Sequence, residues 1–342
     1  MRVAVYYHNR DVRIEERSVP QIGPGEMLVR VERSGICGSD VMEWYRRPRA
    51  PAVLGHEIAG RIAACGKNVR AHREGDRITA AHHVPCNACQ FCRSGHHTLC
   101  ETLHRTNFDP GGFAEYLRLT PLHVDRGVFS LPDALPDEEA VFVEPLACAL
   151  RGQRRAGLRE AQSVVVVGSG MAGLLHVKLA RVAGAAPIVA VDVHPFRLDA
   201  ARHAGADAVL SAGAEWVDQF RETTGGRLAD VVIVCTGSEG ALTQALRVVA
   251  PGGTVLFFAP AAPAYALPLQ FNETFWRTDL TLTTSYGASP SDYAEALALL
   301  GTRQVHVADM ISHRLALSEV ALGFRLVTEA GASMKIVLDH NE

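Results

Sequence analysis

The chain reads as α/β, with a doubly wound parallel sheet set into a β-rich remainder. Three observations predict this. The runs VVVV, IVAV and VVIV are apolar throughout, as strands covered by helices on both faces must be. Between them lie segments with helical spacing of apolar residues, MAGLLHVKLARVAG and FRLDAARHAG. Before residue 148 the texture differs, with short β-like runs broken by Gly and Pro. The expected boundaries are 1–148 with 288–342 for the β-rich part and 149–287 for the α/β part. Two domains suit 342 residues on a prior of ~150 each.

In chain order, the β-rich part offers MLVRVERSG, EIAGRIAACG, DRITAAHH, FAEYLRL and HVDRGVFSLP as strands. The α/β part continues through WVDQFRETTGG, DVVIVCTG, ALTQALRVVAPGG, TVLFFAP and LTLTTSY. After Pro290 a helical YAEALALLG and a strand-like MKIVLD return to the first domain. Lys and Arg number 34 against 37 Asp and Glu, a net charge of −3, which is no footprint for nucleic acid or anionic lipid. The charged amino terminus does not resemble a signal peptide, and no apolar run reaches the ~18 residues of a membrane span. A cytoplasmic, reduced protein is expected.

In that compartment clustered cysteines mean metal. Cys86, Cys89, Cys92 and Cys100 follow C-x2-C-x2-C-x7-C on one polar stretch, enough thiolates to close a tetrahedral structural zinc site. Such a lobe (86–100) has no open position for a reactant. The four-valine strand runs into Gly168-Ser169-Gly170-Met171-Ala172-Gly173, the G-x-G-x-x-G fingerprint of a dinucleotide loop. Asp192 stands 19 residues after Gly173 at the end of the next strand. A carboxylate there accepts from both adenosine ribose hydroxyls and repels a 2′-phosphate, so NAD is expected over NADP. Arg197 could stack on adenine or reach a phosphate, and Asp192 could instead cap the following helix. Thr236-Gly237 is a plausible turn under the nicotinamide half. A second set of ligand types, Cys37, His56, Glu57 and Glu144, lies outside the cysteine lobe; three of them would leave a zinc ion an open fourth position.

The segment GHExxGxxxxxGxxV from Gly55 through His56, Glu57, Gly60 and Gly66 to Val69 resembles the zinc signature of the medium-chain dehydrogenase/reductase (alcohol dehydrogenase) family. CGSD, the four-cysteine lobe, EPLA and the glycine fingerprint follow in that family's order, so the resemblance covers essentially the whole chain. Glu57 after His56, with Glu144-Pro145-Leu146, is similar to the sorbitol, threonine and polyol dehydrogenase branch. The resemblance implies a GroES-like catalytic domain beside a Rossmann NAD-binding domain, with two zinc ions per chain. It implies Cys37 and His56 as catalytic zinc ligands, Glu57 and Glu144 as rivals for the third place with Glu57 preferred, and Ser39 as the hydroxyl that takes the substrate proton. In relatives a histidine three residues past this hydroxyl completes the proton relay; here that position is Met42.

The implied reaction is hydride transfer between a secondary alcohol and NAD, giving the ketone, with zinc as Lewis acid. A polyol, sugar, cyclitol or amino-alcohol is the expected substrate class. Trp44, Tyr45, Phe108, Phe113 and Tyr286 could line its pocket or belong to the core. Ser285-Tyr286 replaces an Arg-Tyr pair of the sorbitol type, which argues against simple transfer of sorbitol specificity. A homodimer or homotetramer is the family expectation. The alternative from another class is a non-catalytic binding or structural protein on the same fold. A zinc-ribbon nucleic-acid module would explain neither GHE nor the glycine loop.

Overall fold

Four consecutive valines, Val164–Val167, form an inner strand of a six-stranded sheet in the computed structural model, which describes residues 1–342. The spatial order is Ala208–Ser211, Ile188–Asp192, Val164–Val167, Ala229–Val234, Val249–Phe257, Thr281–Thr284, and every pair is parallel. In chain order this is 3-2-1-4-5-6, the doubly wound arrangement whose direction reverses between the first and fourth strands. All four valines are buried, because helices cover both faces; each such burial contributes roughly 1.5 kcal/mol. Trp216, Val217 and Phe220 of the helix Trp216–Thr223 pack against Val165, Val167, Val189 and Val191. This unit spans Cys148–Gly287.

Met1–Ala147 and Ala288–Glu342 make the other unit. Its larger sheet has seven strands, in the order Ile311–Ala316, Lys335–Asp339, Met27–Ile36, Glu57–Cys65, Arg77–Ala80, Val128–Ser130, with Tyr116–Leu119 added on Met27–Ile36. Arg2–His8 lies between Asp11–Glu16 and Ala52–Val53 in a second, three-stranded sheet. The central strand Met27–Ile36 pairs antiparallel with both Glu57–Cys65 and Lys335–Asp339, in a register that sets Gly35 opposite Glu57 and Ile36 opposite Ile336. That register joins the GHE segment to the carboxy-terminal strand, far apart in sequence.

One expected strand is different. In HVDRGVFSLP only Val128–Ser130 is extended, and the residues before it belong to a helix, Pro121–Arg126. The reason is local: Pro121 occupies the first turn, where its fixed φ suits a helix and its missing N–H costs nothing. No helix of the protein is long and apolar enough to cross a membrane.

Candidate functional site

The four clustered cysteines surround one point. Their sulfurs all lie within 4.8 Å of one another, with Cys89 Sγ 3.5 Å and Cys86 Sγ 4.0 Å from Cys92 Sγ. Sulfurs bound tetrahedrally at ~2.3 Å would sit roughly 3.8 Å apart, so the set fits zinc. All four are free thiols. The amides of Ala88 and Cys89 donate to Cys86 Sγ at 3.4 and 3.3 Å, an arrangement suited to a thiolate. Burial opposes ionisation of Cys100, but the amides of Cys86 and Leu103 outweigh it and bring the thiol down to about 6. Burial and the neighbouring sulfurs push Cys92 up to about 12.

A second cluster joins Cys37, His56 and Glu57, whose ligand atoms lie within 4.8 Å of one another. Cys37 ends the strand Met27–Ile36 and caps the 3-10 turn Gly38–Val41, with its sulfur accepting from the Ser39 amide at 3.4 Å. His56 is aimed by Gly55, whose φ of +91° and whose contact with Phe113 (an added Cβ would lie 2.6 Å from the ring) admit only glycine. Glu57 opens the strand Glu57–Cys65. Its Oε2 accepts from the buried ammonium of Lys335, while its Oε1 is buried with no partner. A buried carboxylate with one unpartnered oxygen fits a site where a cation held with the neighbouring thiol and imidazole would satisfy it. Cys, His and Glu form a proper zinc donor set with one position to spare.

Sequence reasoning missed the residues behind these side chains. Asp40, wholly buried, accepts from the Cys37 amide at 3.0 Å and faces His56 Nδ1 at 3.5 Å. It orients the imidazole as a carboxylate behind a metal-binding histidine does. Burial of His56 disfavours its cation, yet Asp40 outweighs that and holds the imidazole well above its ordinary value. Asp40 itself is held low against the cost of its burial by His56 and Arg46. Asp40 lies inside CGSD, so the motif contained the signal; Lys335 and Arg46 carried none. The His82 ring centroid sits 4.8 Å from that of His56. Glu144 is buried near the start of the helix Val143–Ala156 and is outside the three-residue cluster. Of the aromatic residues considered for a pocket, Phe108 and Phe113 belong to the cores, Tyr45 is half-buried, and Trp44 and Tyr286 are exposed.

The glycine fingerprint occupies the switch point of the parallel sheet. Gly168, at φ +93°, ends the strand Val164–Val167, and Gly170 precedes the helix Met171–Val182. Met171, Ala172 and Gly173 form its first turn, whose amides lack carbonyl partners within the helix. A Cβ on Gly173 would lie 1.9 Å from the Gly168 carbonyl, so the loop closes only with glycine there. Asp192 accepts from the Ser169 amide at 2.7 Å and the His194 amide at 2.9 Å, tying the loop to the next helix. The Arg197 guanidinium lies 3.9 Å from Asp192 and close over Gly170. Thr236 and Gly237 follow the neighbouring strand Ala229–Val234, with the Thr236 side chain packed near Gly168. Amides, a carboxylate and a guanidinium thus converge where a dinucleotide's pyrophosphate and ribose would lie.

Residues 23–133 match the family model described as alcohol dehydrogenase GroES-like domain, and residues 172–302 the one described as zinc-binding dehydrogenase. A probable D-xylulose reductase A of Aspergillus clavatus is 34% identical over 96% of this chain and 93% of its own length. Sorbitol dehydrogenase of Gallus gallus is 29% identical over 98% and 96%. Among solved structures, the alcohol dehydrogenase from Thermus sp. ATN1 superposes with a TM-score of 0.84 at 30% identity, covering 99% of both chains.

Proposed function

Because the chain belongs to the zinc-containing medium-chain dehydrogenase/reductase family, in its polyol dehydrogenase branch, we propose that Cys37, His56 and Glu57 hold its catalytic zinc and that its substrate is a polyol or sugar-type secondary alcohol oxidised with NAD. The chain is an oxidoreductase acting on CH–OH donors, and zinc with NAD(P) is its expected cofactor set. The observation that carries the site assignment is the convergence of the Cys37, His56 and Glu57 ligand atoms within 4.8 Å of one another, with Glu57 buried and its Oε1 unpartnered. Zinc bound there supplies Lewis acidity toward an alcohol or carbonyl oxygen, and the nicotinamide supplies hydride chemistry. Ser39 handles the substrate proton at its Oγ. Glu57 rather than Glu144 is the third ligand, since Glu144 stands outside the cluster. The cysteine lobe holds the structural zinc.

Asp192 supports NAD over NADP: a 2′-phosphate beside its carboxylate would be repelled. Xylulose, sorbitol and related names among the relatives support a polyhydroxylated substrate. Eight free cysteines support a reducing, cytoplasmic setting. Exposed Phe271 and Trp276 near the edge strand Thr281–Thr284 support a homo-oligomer. The decisive experiment combines metal analysis with reduction of NAD and NADP over polyols, cyclitols, 3-hydroxy amino acids and simple secondary alcohols. About two zinc per chain and NAD-dependent turnover on a polyhydroxylated member are expected. Glu57→Gln lowers zinc content toward one per chain, whereas Glu144→Gln leaves it near two. Silence with both nucleotides would favour the non-catalytic reading.

A further inference from the structure

Ser39 sits in the turn Gly38–Val41, two residues beyond Cys37, and its hydroxyl is held by an arginine. Arg46, at the end of the short helix Glu43–Arg46, donates from Nη2 to Ser39 Oγ at 3.0 Å. Its Nε donates to the Ser39 carbonyl at 3.0 Å, and its Nη2 also reaches Asp40 Oδ1 at 3.2 Å. The guanidinium carbon lies 4.8 Å from the Tyr45 ring centroid. With its side chain 14% exposed, Arg46 has little freedom to leave this position. The anchoring is bidentate on Ser39 and shares the carboxylate that orients His56.

A guanidinium has five donors, no acceptor and no tendency to deprotonate. It occupies one of the two lone pairs on Ser39 Oγ and cannot receive the serine's proton. The hydroxyl hydrogen must point elsewhere, and one lone pair remains. Met42, where relatives continue the relay through an imidazole, offers a thioether that is a weak acceptor at best.

We propose that Arg46 is a positioning residue of the reaction, fixing the Ser39 hydroxyl so that its free lone pair faces the substrate oxygen and its hydrogen faces water. The proposal rests on the reading of Ser39 as the proton-handling hydroxyl. In oxidation the substrate O–H bond breaks and its proton passes to the free lone pair of Oγ. The original Oγ–H bond breaks toward water; a nicotinamide, when bound, would supply the acceptor for the hydride of the carbinol carbon. Arg46 neither gains nor loses a proton, and no second titrating side chain is needed.

A double-mutant cycle tests this with Ser39→Ala, Arg46→Met, the double variant and wild type, each with zinc content and melting temperature recorded. Ser39→Ala and Arg46→Met should each lower kcat at least about tenfold, with KM for NAD within about twofold of wild type. In the Ser39→Ala background Arg46→Met should add less than about twofold, because no hydroxyl is left to hold. A loss of similar size in both backgrounds would mean Arg46 acts structurally or elsewhere, and the proposal fails. Wild-type kcat in Arg46→Met overturns it as well. Wild-type kcat in Ser39→Ala removes Ser39 itself from the mechanism and the proposal with it, a result distinct from the first two. Arg46→Lys, which keeps the charge but replaces the planar guanidinium fork with a single ammonium, is taken through the same cycle. It should show a smaller loss that again vanishes with Ser39→Ala, and this reading stands if Arg46→Met does not fold.

Discussion

Lys335 and Glu57 form an ion pair with both side chains fully buried, and the Phe142 ring centroid lies 5.5 Å from the ammonium. Two charges taken out of water this far recover their desolvation only through each other. Removing the cation alone strands a carboxylate, whereas removing both charges leaves only a neutral amide beside a thioether, a smaller desolvation cost. Lys335→Met should therefore cost about 3–5 kcal/mol in the zinc-free protein, and Glu57→Gln combined with Lys335→Met should cost markedly less. Urea unfolding of both variants after chelation checks this; equal losses would show that Lys335 acts through packing rather than charge. The functional corollary concerns the metal. Lys335 engages Oε2 and leaves Oε1 buried without a partner, so Glu57 is anchored through one oxygen while the other stays available to a cation.

Elements differ in how much of themselves a sequence can disclose. The glycine loop and the cysteine lobe were readable because each closes within a single short stretch, where spacing nearly determines geometry. The parallel strands were readable because helices cover both faces and the apolar runs are unbroken. Asp40 behind His56, Arg46 on Ser39 and Lys335 on Glu57 were not readable, since strand register and turn geometry bring them together. Pro121–Arg126 misled because Val124 and the extended run after it mask a helix that its proline starts. The cysteine lobe has its own test: Cys86→Ser should lower the melting temperature and zinc content before it lowers turnover per zinc-loaded molecule. A stable variant with catalysis selectively abolished would place the lobe in the reaction instead. The helix Met171–Val182 carries another. His176 is buried with neither ring nitrogen partnered, edge-on to Phe258, and burial lowers it to about 3. Its unfolded value is near 6.5, so below that pH the unfolded chain binds a proton that the fold refuses. Stability is thus lost as pH falls from about 6.5 toward 3, by about 2 kcal/mol from this group at pH 5. His176→Leu should remove that share of the pH dependence and be neutral or stabilising at pH 7, as urea unfolding at the two pH values would show.

For the whole molecule, the feature that asks for a second copy is the surface around residues 269–286. Phe271 is 74% exposed and Trp276 68%, with Phe271 against Phe275 at 5.4 Å between ring centroids. Thr281–Thr284 ends the six-stranded sheet, paired with Val249–Phe257 on one side and with no strand on the other. An open edge and bare aromatics in the segment that leads to it are each places where chains associate. Two such rings from each of two copies would bury about 600 Å², roughly 15 kcal/mol gross. Association costs ~4–15 kcal/mol in lost freedom, so the rings alone come close to balance and backbone pairing along the free edge must add the rest. A two-fold axis satisfies both needs at once, since it sets each edge strand against its own copy. Wild type should sediment as a dimer or tetramer at micromolar concentration. Phe271→Asp with Trp276→Ser should shift it to monomer while zinc content stays near two per chain, because neither residue belongs to either ligand cluster. An oligomer that survives both substitutions would place the interface elsewhere, and a monomeric wild type would leave these aromatics to another role.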